Sequence, residues 1–209
     1  MSRLGDRYGM VTTAEIVLFD GFDELDAIGP YEVLENGSQA GAALETRLVT
    51  LEEPRNDELV TASHGLRVES EGTLGEPDLL LVPGGGWTSE DAGVRAAVED
   101  SPLPAAVEKR HIAGTTVASV CTGAMVLAEA GLLEGRPATT HAVARDDLAA
   151  AGADLADARV VDDGGILTAG GVTSGIDLAL WLLEREFGAD VADAVATGME
   201  YERRGEVVA

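Results

Sequence analysis

The chain has one cysteine, Cys121, and one lysine, Lys109, in 209 residues. A single thiol excludes an internal disulfide, which fits a reducing cytoplasm. No apolar run is long enough to cross a bilayer. The polar opening, Met1 to Thr13, lacks the apolar centre of a secretory leader and reads as an N-terminal extension to a single domain over 14–209. The usual metal signatures are missing too: there is no Cys-x-x-Cys pair and no His-Glu-x-x-His helix, so no zinc site is expected. Gly84-Gly85-Gly86 is not a dinucleotide fingerprint, no phosphate-loop lysine follows it, and no cofactor is expected. Nor is there an internal repeat, a low-complexity tract or a linker.

Basic residues are scarce. Fourteen Lys and Arg stand against 38 Asp and Glu, for a formal net charge of -24. Such a surface repels nucleic-acid phosphates and anionic membranes, so neither is expected as a partner. The acids are interspersed through a strong apolar periodicity, which argues for a folded domain rather than a disordered one. The excess reads as adaptation to high salt, in the cytoplasm of a salt-accumulating archaeon. Concentrated counterions screen the self-repulsion while the carboxylates keep the surface hydrated.

Strands alternate with helices along the chain. Strands are expected at Glu15 to Phe19, Glu45 to Leu51, Asp78 to Val82, Thr116 to Val120, Arg159 to Asp162 and Ile166 to Ala169. Short strands around a turn fit Leu59 to Val68, and another short strand fits Ala138 to His141. Helices are expected over Glu24 to Glu35, with Leu25, Ile28, Val33 and Leu34 inward and a kink or late start at Pro30. Others are expected near Ala92 to Glu99, Pro104 to His111, Val126 to Ala130, Asp146 to Ala151, Val172 to Phe187 and Asp190 to Arg203, the last complemented by Arg203-Arg204. This alternation implies a parallel sheet covered on both faces, with ligands at the carboxyl ends of its strands. Gly84-Gly85-Gly86 and Cys121 both fall at such ends.

Cys121 lies where the run Thr116-Val117-Ala118-Ser119-Val120 stops and small residues open a helix. A thiol on that corner is exposed on a sharp turn, and the following N–H groups and helix dipole favour its thiolate. A small buried core cysteine is the plain alternative. Glycines after Pro83 let backbone N–H groups approach a ligand, and with Thr122 N–H they would form an oxyanion hole. Asp26, among apolar neighbours, is either a helix-capping carboxylate or a partly buried acid that relays protons to the thiol. His64 and His111 read as surface residues and Asp23 and Glu24 as solvated. His141 is a candidate to return to the site.

These pieces resemble the DJ-1/PfpI superfamily. The resemblance is carried by Asp20-Gly21-Phe22 with Leu25-Asp26 and Gly29-Pro30-Tyr31-Glu32-Val33, then Pro83-Gly84-Gly85-Gly86, then Ser119-Val120-Cys121-Thr122-Gly123-Ala124. Ala138-Thr139-Thr140-His141 and Gly170 to Leu180 complete it, in order. It implies a flavodoxin-like three-layer α/β/α sandwich with a mainly parallel sheet and a nucleophile elbow at Cys121, in a homodimer. Cys121, Asp26 and Thr122 would be catalytic, with Gly85, Gly86 and His141 lining the oxyanion and substrate side. Thr122 stands where protease-like members carry histidine, which points away from proteolysis. Leu25-Asp26-x-x-Gly29-Pro30 and Cys121-Thr122-Gly123-Ala124 are most similar to the isocyanide hydratase branch, whose usual tryptophan after the histidine is here Ala142. They are also similar to the sensor domain of certain AraC-type regulators. The resemblance thus implies hydration of a small electrophile such as an isocyanide. Its alternatives are glyoxalase- or amidase-like action on small carbonyl compounds, and a non-enzymatic redox or ligand sensor.

Overall fold

A computed structural model describes residues 11–52, 59–88 and 92–209; residues 1–10, most of the expected N-terminal extension, lie outside it. The chain runs β1 (Thr12–Leu18), α1 (Glu24–Gln39), β2 (Leu44–Thr50), β3 (Val60–Thr61), β4 (Arg67–Val68), β5 (Leu79–Val82), α2 (Val94–Glu99), α3 (Leu103–Ala113) and β6 (Thr116–Val120). After a single 3-10 turn over Cys121–Gly123 come α4 (Ala124–Glu129), β7 (Pro137–Ala138), α5 (Arg145–Ala150), β8 (Asp154–Leu155), β9 (Val160–Asp162) and β10 (Ile166–Ala169). Two helices, α6 (Ser174–Phe187) and α7 (Ala189–Gly198), and the strand β11 (Val207–Val208) complete it.

Seven strands form the central sheet in the order β11-β9-β10-β6-β5-β1-β2. All its pairings are parallel except β9 with β10, where Asp163-Gly164-Gly165 closes a hairpin. Because both faces are covered, β5, β6 and β10 are buried along their whole length; β5 is an unbroken apolar run, and β6 and β10 are apolar runs broken only by small buried hydroxyl residues, Thr116, Ser119 and Thr168. Alternate residues feed opposite cores. Leu79 and Leu81 pack with Val33 and Leu34 of α1, Leu178 and Leu182 of α6 and Val195 of α7. Leu80 and Val82 pack on the other side with Val94 of α2, Val107 of α3, Leu127 of α4 and Leu148 of α5. The result is a flavodoxin-like three-layer α/β/α sandwich.

Several local expectations need correction. Leu25 is 39% exposed, whereas Val33 and Leu34 are buried as expected and Ile28 packs partly buried against them; Asp26, Ala27, Gly29 and Pro30 complete the inward face of α1. Asp23 caps the helix by accepting the Leu25 N–H at 3.2 Å, which sets a phase that turns Asp26 inside. Pro30 lies within one helix that runs on to Gln39, although its missing N–H deprives the Asp26 carbonyl of its usual donor. The last helix ends at Gly198 rather than Arg203, because Glu200 adopts a left-handed φ of 51° and turns the chain back to the sheet edge. There Arg203 pairs with Glu184 of α6 at 2.5 Å, and Arg204 N–H donates to Asp177 at 2.9 Å, instead of capping a helix. The strand expected over Ala138 to His141 is confined to Pro137–Ala138, paired with β8.

Candidate active site

Strands β6, β5 and β1 lie side by side and end together. Cys121 follows β6, the glycine loop follows β5, and Asp26 stands in the first turn of α1 after β1. Topology alone therefore gathers three segments that are about 60 and 40 residues apart in sequence. The decisive residue at this corner is Cys121, whose φ of 57° is left-handed. A non-glycine residue held there costs roughly 1–2 kcal/mol. Two hydrogen bonds impose it: Cys121 N–H donates to the Gly170 carbonyl at 2.9 Å, and Thr140 Oγ1 donates to the Cys121 carbonyl at 2.8 Å. Thr140 is buried and was not singled out from the sequence, where its neighbour His141 drew attention instead.

Asp26 is fully buried. Its Oδ2 accepts the Gly84 N–H at 2.9 Å, and its Oδ1 has no N–H or O–H donor. The carboxyl interacts with the Cys121 thiol. Gly84 is wedged between the two, since a Cβ there would stand 2.5 Å from Asp26 Oδ2 and 2.8 Å from Cys121 Cβ. Of the two sequence readings of Asp26, capping belongs to Asp23, and Asp26 is the buried acid facing the thiol.

Burial, with the Asp23 charge behind it, raises Asp26 to about 8 against the opposing Gly84 N–H. Burial also pushes the Cys121 thiol above its ordinary value, reinforced by the charge of Asp26 and opposed by the Thr122 N–H. This overturns the expectation of an exposed thiol with a lowered value. The helix behind the elbow is only six residues long, and the thiol is 6% exposed, so desolvation outweighs the helix dipole. At neutral pH the pair therefore carries both protons. Loss of the first leaves one proton shared between sulfur and carboxylate.

Thr122 is buried, and its hydroxyl locks the glycine loop: Oγ1 accepts the Gly85 N–H at 3.0 Å and donates to the Gly85 carbonyl at 2.7 Å. The Gly85 N–H is thus occupied, which corrects its expected place as a free oxyanion donor. Gly86 is held from the other side, its carbonyl accepting the Arg95 N–H at 3.1 Å. Trp87, also unnoticed in the sequence, is buried next to it, donating to Asp147 at 2.6 Å with the Arg95 guanidinium 4.0 Å above its ring. A tryptophan directly after a glycine run was the available signal.

His141 lies near Gly171 but is not joined by a hydrogen bond to Cys121 or Asp26 among the described residues; its Nδ1 accepts the Val143 N–H at 3.2 Å. His64 is exposed, as expected of a surface residue, and contacts Glu24 at 2.7 Å, so Glu24 is held rather than simply solvated. Asp23, Glu24 and His64 are the sole group of acids and histidines with metal-binding proximity among the described residues, and it lies on the surface.

Residues 12–185 match the DJ-1/PfpI family model. The chain belongs to the DJ-1/PfpI family. It is 36% identical over 188 residues to an isonitrile hydratase from Pseudomonas putida, covering 88% of this chain and 76% of that one. It is 33% identical over 155 residues to a deglycase from Pyrococcus abyssi, covering 71% and 84% respectively. The structure superposes on a crystal structure of a ThiJ/PfpI family protein from Pseudomonas syringae with a TM-score of 0.79 and 27% identity, covering 98% of this chain and 83% of the other. Cys121 sits at a strand-to-helix turn of this fold, and the relatives named here, an isonitrile hydratase and a deglycase, both carry the names of enzymes.

Proposed function

We propose that this DJ-1/PfpI protein is a cysteine-dependent hydratase that converts a small electrophile, best an isocyanide, to an N-substituted formamide. The observation that carries the reading is the buried Cys121–Asp26 pair, which can share a single proton beside a rigid loop of backbone donors. Similarity to an isonitrile hydratase supports the substrate class, and Thr122 in place of a histidine after the cysteine speaks against proteolysis.

In the reactive form the pair holds one proton. That proton moves to Asp26 as Cys121 sulfur bonds to the terminal carbon of R–NC, and Asp26 delivers it to that carbon, giving the thioimidate R–N=CH–S–Cys. The N–H groups of Thr122 and Gly86 stabilise the charge that develops during addition. Water then adds to the thioimidate carbon, with Asp26 accepting a proton from it and passing one to nitrogen. Collapse expels the Cys121 sulfur and releases R–NH–CHO. The net change is the addition of one water. A dry, apolar surround suits this chemistry, because it raises the proton affinity of Asp26, which can then take the thiol proton and hold it for the substrate carbon.

The deglycase relative favours a second reading, attack of the same thiol on a small carbonyl compound. Side-by-side assays of alkyl isocyanide hydration and methylglyoxal loss separate the two. Cys121→Ala is expected to abolish isocyanide turnover, and Asp26→Ala to lower it about a hundredfold or more. Turnover by Asp26→Ala at the parent rate removes Asp26 from the mechanism. Methylglyoxal loss alone favours the carbonyl reading, and reversible oxidation of Cys121 without either turnover favours a sensor.

A further inference from the structure

An open cavity of about 470 Å³ lies beside the Cys121 elbow. Two of its lining residues, Thr140 and Gly170, are the ones that hydrogen-bond the Cys121 carbonyl and N–H, so the cavity abuts the backbone support of the elbow. Its lining is richer in arginine than the chain as a whole. Arg145 and Arg159 both line it, against a single acid, the exposed Asp157, whereas the chain as a whole has 38 acids to 14 bases.

The two arginines are not spent elsewhere in the same way. Arg159 is fixed: Nε and Nη2 donate to Asp177 Oδ2 at 2.8 and 2.7 Å, and Nη2 also reaches Thr173 at 3.1 Å. Its Nη1 has no hydrogen-bond partner among the described residues, so the guanidinium is pre-oriented with donors to spare. Asp177 is itself tied to Tyr201 and to the Arg204 N–H, which keeps the anchor rigid. Arg145 has no carboxylate within ion-pair distance among the described residues; its one side-chain hydrogen bond there is from Nη1 to the Ala156 carbonyl at 3.4 Å.

We propose that this cavity is an anion subsite, and that the substrate is a small electrophile carrying a carboxylate, whose reactive carbon reaches Cys121 while its charge rests between Arg145 and Arg159. With Nε and Nη2 held by Asp177 and Thr173, the fixed guanidinium leaves the two N–H groups of Nη1 to donate to an anion. The isocyanide identity of that electrophile rests on the hydratase reading above; the anion subsite does not.

The test uses two matched pairs of probes at one fixed salt concentration. Isocyanoacetate and its methyl ester measure turnover; iodoacetate and iodoacetamide measure only the chemical capture of Cys121. The acid is expected to exceed its ester about tenfold in kcat/KM, and iodoacetate to gain on iodoacetamide relative to a free thiol. Arg145→Gln, which breaks no ion pair, is expected to bring both ratios down by roughly an order of magnitude. Arg159→Lys, which keeps the charge but gives up the two-point Asp177 anchor, is expected to lower them less. An ester preferred over its acid, or ratios indifferent to Arg145→Gln, overturns the subsite. If neither isocyanide turns over while the alkylation ratio still depends on Arg145, the hydratase reading fails and the subsite stands.

Discussion

Asp26 and Cys121 set the chemistry at the scale of single residues, and both respond to pH. Alkylation of Cys121 is expected to accelerate as pH rises through about 8, where the pair loses its first proton. In Asp26→Asn that step moves upward, because the buried thiol must then ionise without a base beside it. A midpoint near 8 retained in the variant would disprove the coupling. Stability follows the same group with a definite sign. Asp26 is protonated in both states below its ordinary 3.8; between 3.8 and about 8 the unfolded chain releases the proton and the folded chain keeps it. The parent therefore loses on the order of 1.4 kcal/mol per pH unit across that window, and Asp26→Asn does not. Urea midpoints at pH 4, 6 and 8 should show the variant gaining steadily on the parent, and a constant gap would refute the buried acid. Thr122→Val strips the Gly85 N–H and carbonyl of their partner, and a loss of about 1–3 kcal/mol is expected by urea titration.

At the scale of elements, the site depends on how closely the loop after β5 meets the elbow after β6 and the first turn of α1. Gly84→Ala puts a methyl 2.5 Å from Asp26 Oδ2, 2.8 Å from Cys121 Cβ and 2.9 Å from Thr122 N. Two of these are backbone or near-backbone atoms that cannot swing away, so the loop must lift. The expected outcome is loss of Cys121 reactivity while circular dichroism stays that of the parent; unchanged alkylation would mean that the loop and elbow are not coupled. Element positions were largely legible in the sequence, since fully buried strands leave short, mainly apolar and β-branched runs between turn signals. The helix phase of α1 was less so. Leu25 looked like a core residue by type, but the Asp23 cap decided the phase and turned a carboxylate inward instead. The end of α7 was hidden for a similar reason. Val191, Val195 and Met199 keep helical spacing up to a left-handed turn, and the path of the chain beyond that turn is dictated by partners on α6 and β9.

At the scale of the whole molecule, a formal charge of -24 must be held on one compact fold. Acids lie over the surface, and the few arginines of the described residues are spent in part on pairs such as Arg185–Asp162 and Arg136–Asp163. Screening by salt weakens the repulsion among the rest. The melting midpoint is expected to rise between low and molar KCl, and an unchanged midpoint would remove the high-salt reading. No helix among the described residues is long and apolar enough to cross a membrane. The resemblance to the DJ-1/PfpI superfamily also leads to an expectation of a homodimer, for which sedimentation should return twice the chain mass.

Sequence alone sufficed for the order of the main strands and helices, though not for β8 or the edge strand β11, and for the family and the segments that carry Cys121, Asp26 and the glycine loop, because local periodicity and motif spacing are written along the chain. The protonation of the site was decided only in three dimensions. Local sequence places Cys121 at a helix start, which favours a thiolate; the fold buries it against an equally buried carboxylate, and desolvation acts through every atom that packs around the pair. The same holds for Thr140, Arg145 and Arg159. Their positions beside the elbow come from strand order and loop return, which bring residues distant in sequence onto one cavity wall.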